Sequence, residues 1–131
     1  MDFQAFELRF AVRLPEAFKL LYGWRDGQSP GDFSELHSNR MFSSLAEITS
    51  TKDILDGMIS TDFDDPAWWQ TSWVPFLSNG AGDHLCLDTK TNELIAFWHD
   101  WDDRSSEFPS MQMWLEELVR EAQSGQLESD V

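Results

Sequence analysis

The sequence predicts a single α+β domain, a twisted antiparallel sheet with a central meander flanked by about four helices. Three observations lead there. Trp73 to His99 holds three apolar runs of strand length, Trp73–Leu77, His84–Asp88 and Glu93–His99, separated by the turn-forming clusters Ser78–Asp83 and Thr89–Asn92. Four other segments carry apolar residues at helical spacing. The length, 131 residues, is that of one domain with its own core. The expected domain spans residues 1–125, with 126–131 a flexible tail.

In chain order, Phe3, Phe6 and Phe10 lie on one face of a short first helix. Pro15, with Glu16 behind it, opens a second helix as its first residue; Phe18, Leu21 and Tyr22 form its stripe, and it ends near Trp24 before Gly27. Arg25 to Asn39 reads as a loop on a binding rim, followed by a short strand at Met41-Phe42. Ser44 and Glu47 match a capping box, which predicts a helix from Leu45 to about Ile59 with Leu45, Ile48, Leu55, Met58 and Ile59 buried. In the meander, Asn79-Gly80 and Gly82-Asp83 tolerate positive φ, and Thr91-Asn92 can close the second turn through a side-chain bond. Pro75 cannot donate to a ladder, so its strand is an edge or the proline sits at a bulge. His84, Cys86 and Asp88 alternate with Leu85 and Leu87, giving one apolar and one mixed face. Ser110 caps the last helix, whose Met111, Trp114, Leu115, Leu118, Val119 and Ala122 make the strongest helical pattern in the chain, with Gly125 as its stop.

Seven Trp and ten Phe are many for this length, and most are expected in the core. The lone Cys86 forbids an internal disulfide, fits a reducing compartment and reads as a buried structural thiol. The first residues lack a basic segment followed by an apolar run, and no stretch approaches the roughly 20 apolar residues of a membrane span, so a cytoplasmic location is expected. The formal charge is −15; residues 1–25 hold three acids and four bases, so the remainder carries −16. Such a field argues against direct nucleic-acid or membrane binding and would speed association with a basic protein. An acidic surface also serves solubility alone.

No chemical site stands out. Asp83-His84 and His99-Asp100 could bring a carboxylate and an imidazole together for acid–base work, but an aspartate after glycine commonly caps its own turn. His37, His84, Cys86 and His99 lack zinc-site spacing, and Asp100-Trp101-Asp102-Asp103 is followed by Arg104 without the glycine a calcium loop needs. Asn79-Gly80-Ala81-Gly82 lacks the lysine of a phosphate loop and leads into a strand. Two segments place Trp beside carboxylates, Asp62, Asp64, Asp65, Trp68 and Trp69 in one, Asp100, Trp101, Asp102 and Asp103 in the other. These are the candidate partner-binding residues, because Trp anchors interfaces and neighbouring acids pair with Lys or Arg. At least one of Trp68 and Trp69 is expected in the core.

Leu14-Pro15-Glu16-Ala17-Phe18 through Tyr22, Trp24, Asp26 and Gly27, then Trp73-Val74-Pro75-Phe76, Ser78 to Asp88, Phe97-Trp98-His99-Asp100 and Ser110 with Trp114-Leu115 resemble the Smi/Knr family of the SUKH superfamily. Ala81 and Met111 depart slightly from its usual pattern. The resemblance implies a sheet flanked by helices and no catalytic residue; no cofactor or metal is expected. It implies a protein partner: bacterial members are associated with toxin systems as immunity proteins, here directed at a basic toxin domain, while fungal members regulate cell-wall synthesis, which makes a regulatory or scaffolding role the alternative.

Overall fold

In the computed structural model, residues 2–28, 40–61, 68–98 and 104–124 are described. Helix α1, Phe3–Phe10, starts where the Asp2 carboxylate accepts from the Ala5 amide at 2.9 Å and stops at Ala11, whose φ of 54° leaves the helical region. Helix α2, Glu16–Trp24, has Pro15 as its N-cap, one position outside the helix instead of inside it. Tyr22, stacked on Phe18 at 4.5 Å, donates its hydroxyl to the Ser43 carbonyl at 2.7 Å, fastening α2 to the Ser43-Ser44 segment. Gly27 permits a closer approach: its φ is +79°, and a Cβ there would fall 2.4 Å from the Ser44 amide nitrogen.

Strand β1, Met41–Phe42, leads into α3, Leu45–Thr61. The capping box forms as read. Ser44 Oγ accepts from the Glu47 amide at 3.1 Å while Glu47 Oε1 accepts from the Ser44 amide at 2.7 Å. Ser44→Ala is therefore expected to lose about 1 kcal/mol of stability, read as a lower urea midpoint at unchanged slope.

The meander is β2 Trp73–Ser78, β3 His84–Asp88 and β4 Leu94–Phe97. Two short strands extend it, β1 beside β2 and β5, Ser106–Phe108, beside β4, giving a five-stranded antiparallel sheet in chain order. Pro75 is therefore not on an edge. Its strand is interior, and the register slips between Pro75, opposite Cys86, and Leu77, opposite Leu85. Phe76 is the extra residue of the bulge, which settles the two options left by the sequence and lets Phe76 and Leu77 join one core. Asn79 organises the first turn, its Oδ1 accepting from the amides of Ala81 and Asp83 at 2.8 and 3.2 Å, with φ of 78° at Gly80 and 96° at Gly82. In the second turn Thr91 Oγ1 accepts from the Glu93 amide at 3.2 Å.

Each sheet face has its own core. Phe6, Phe18, Tyr22, Phe76, Leu85, Leu87 and Trp114 pack on one side, where α1, α2 and α4 (Met111–Ser124) lie. On the other, Leu55 of α3 joins Trp69, Trp73, Cys86, Ile95 and Phe97. The mixed face of β3 is thus covered: His84, Cys86 and Asp88 are all buried, and His84, only 7% exposed, stacks on Phe97. Apolar cover on both faces leaves the three strands of the meander almost no solvent side. Helix α4 begins with the Met113 amide donating to Ser110 Oγ at 3.2 Å; Met111 and Trp114 are buried, but Val119 points outward. Gly125 lies outside the described residues.

Candidate functional site

The second core opens at the surface as a groove of about 540 Å³ between α3, the glycine turn and the aromatic pair Trp68 and Phe97. Ile54, Leu55 and Met58 form the α3 wall, and Gly80, Ala81 and Gly82 the opposite rim. His84 and Phe97 lie at its base. Amphipathic spacing along α3 produces the wall: Leu55 turns inward, while Ile54, one residue earlier and on the next face, is left 65% exposed.

Trp68 stands edge-on to Phe97 at 5.2 Å and is half-buried. Arg104 fixes the pair, stacking its guanidinium 4.4 Å from the Phe97 ring and donating from Nε to the Trp68 carbonyl at 3.0 Å. Trp69 faces the other way. It is fully buried, packed edge-on against Trp73 and Phe97, with Nε1 donating to Asp56 Oδ1 at 2.7 Å. Of the residues singled out in the sequence for partner contact, then, Trp68 lines the groove and Trp69 belongs to the core. Asp62, Asp64, Asp65, Asp100, Trp101, Asp102 and Asp103 lie outside the described residues.

Sequence reasoning missed a charge under the groove wall. Lys52 sits on the apolar face of α3 with its side chain wholly buried, Nζ lying 2.5 Å from the Thr71 carbonyl and 3.2 Å from Asp56 Oδ1. Its ammonium also lies 5.1 and 5.8 Å from the Phe10 and Trp69 rings. Burial lowers its pKa, and Asp56 opposes the shift by charge and hydrogen bond. The spacing Ile48, Lys52, Leu55, Ile59 was the available signal. A second buried cation, Arg40, is 3% exposed, pairs with Glu107 of β5 at 3.3 Å and faces the Trp98 ring at 5.3 Å.

Of the pairs weighed for acid–base chemistry, only Asp83-His84 is among the described residues, and Asp83 is held inside its own turn. Asp83 accepts from Asn79 Nδ2 at 2.9 Å, the turn-capping role its place after glycine suggested, while His99 and Asp100 lie outside the described residues. Burial pushes the Cys86 thiol well above its ordinary range, which keeps it protonated and unreactive. Among the described residues no three of His, Cys, Asp and Glu converge as metal ligands would, and no helix is long and apolar enough to cross a membrane. What the groove offers chemically is contact: apolar side chains beside an exposed glycine turn.

No curated protein sequence matches the chain. Residues 1–117, from α1 through β5 and the first half of α4, match the SMI1 / KNR4 family (SUKH-1), the family its turn and helix motifs resemble. With nearly all of its length inside that match, the chain belongs to the SMI1 / KNR4 family (SUKH-1).

Proposed function

We propose that the protein is a non-catalytic binding domain of the immunity type, which recognises and neutralises a cognate basic toxin domain in the cytoplasm. The observation that carries this reading is the distribution of charge: residues 26–131 supply all of the −15 excess, while residues 1–25 are slightly basic. Family membership supports a protein-binding role, and the acidic field favours a cationic partner and would speed its capture. A toxin that acts on nucleic acid carries such a basic surface, and covering it would block access to phosphate.

The test is to mix the purified chain with the toxin domain encoded beside it and to follow binding by calorimetry at increasing salt. A complex well below micromolar Kd, weakening as salt screens the charges, is expected, together with rescue of growth when the two are co-expressed. No complex at micromolar concentration and no rescue would overturn the reading.

A further inference from the structure

The groove beside the glycine turn has a chemistry narrower than acidity in general. In that turn the amides of Gly80, Ala81 and Asp83 are directed inward, onto Ser78 Oγ at 3.2 Å and Asn79 Oδ1 at 2.8 and 3.2 Å. Gly80, Ala81 and Gly82 are nevertheless exposed, and the amides at 80 and 81 are already bonded inside the turn. Across from it the α3 wall is aliphatic, with Ile54 unusually open for a large apolar side chain and Met58 adaptable in shape. Among the described residues no Lys or Arg lines the groove.

We propose that this groove is the contact surface for the partner protein and that it receives an aliphatic side chain flanked by Lys or Arg. The aliphatic group fills the space between Ile54, Met58 and Trp68, and the flanking cations donate to the rim carbonyls, where charge-assisted hydrogen bonds are strong. Charge complementarity selects this occupant. An anionic segment meets a −15 field, and a second copy of the chain brings the same excess against itself. The inference rests on the reading of a basic protein partner given above, and its test is separable from that reading.

The probe is the tetrapeptide acetyl-Lys-Leu-Lys-Lys-amide, titrated into the full chain and followed by nitrogen–proton correlation spectra, with the Glu-Leu-Glu-Glu and Lys-Ser-Lys-Lys analogues as controls. Saturable shifts of the Gly80, Ala81 and Gly82 amides and the Trp68 indole are expected with the first peptide. Each analogue is expected to bind about tenfold more weakly or worse. Ile54→Lys and Ala81→Lys put a cation on either wall at exposed positions, and each is expected to weaken the first peptide about tenfold at unchanged Tm. Shifts scattered away from the groove, equal binding of the anionic analogue, indifference to both substitutions, or shifts that depend on protein concentration alone would overturn the proposal. The toxin domain separates the two ideas: tight binding that survives both substitutions removes the groove and keeps the immunity reading, while groove-specific peptide binding without any toxin complex does the reverse.

Discussion

Asp56→Ala is expected to lower folding stability by about 3 kcal/mol, measured by urea unfolding. Asp56 serves two buried donors at once, the Lys52 ammonium at 3.2 Å and the Trp69 indole at 2.7 Å. Removing it leaves Lys52 with the Thr71 carbonyl as its remaining hydrogen-bonded partner and two ring faces, and leaves the indole N–H without its acceptor. An uncompensated buried charge is the expensive part, and a lost acceptor adds about 1–3 kcal/mol. The double variant Lys52→Met with Asp56→Asn keeps an acceptor for Trp69 and removes both charges, so it should recover to within about 1 kcal/mol of the parent. If Asp56→Ala cost less than about 0.5 kcal/mol, the pair would be no more than a solvated surface contact.

Alkaline pH should destabilise the fold, with the Cys86 thiol of the second core accounting for the onset. Burial raises the pKa of Cys86 above its ordinary 9.0 and, with the nearby charges of Asp26 and Glu47, that of Tyr22 above its ordinary 10.0. Below those values both folded and unfolded chains hold these protons, and neither group makes stability depend on pH. Above them the unfolded chain releases a proton that the folded chain keeps, so each group removes about 1.4 kcal/mol per pH unit. Lys52 has the opposite sign. Its folded pKa is lowered, so below its ordinary 10.5 the unfolded chain binds the extra proton, and stability rises with pH toward that value. The thiol has the earliest onset, and by about pH 11 it alone should have removed about 2–3 kcal/mol. Cys86→Ala loses a little packing at neutral pH but should abolish this first part of the alkaline slope, read from urea midpoints across the pH series. An unchanged slope in that variant would show that the thiol titrates in the folded chain.

These expectations rest on features of unequal visibility in the sequence. The Ser44–Glu47 capping box and the Asn79–Asp83 turn were legible because each is closed by residues within four positions of one another. Strand β5 was not. Ser106 and Glu107 are exposed and polar, without alternation, and the strand is held by partners distant in sequence: Phe108 opposite Leu94, and Glu107 paired with Arg40. Pro75 could be narrowed to two placements; choosing between them required β1, a strand of two residues whose pairing with β2 no local pattern announces. Lys52 was passed over because a cation inside an apolar stripe reads as an interruption, and its acceptor, the Thr71 carbonyl, is a backbone atom no side-chain pattern reveals. The groove is illegible for a related reason: the glycine turn carries no apolar signal of its own, while the apolar wall it faces lies on α3, about 25 residues earlier.

Among the described residues the two outermost strands of the sheet, Met41–Phe42 and Ser106–Phe108, are two and three residues long. So short a border offers an incoming chain almost no ladder to extend, which guards against edge-to-edge aggregation and closes off recognition by strand addition. Partners of this domain must instead be read through side chains and loops. Those positions can diversify from one homologue to the next without disturbing the hydrogen-bonded frame beneath them.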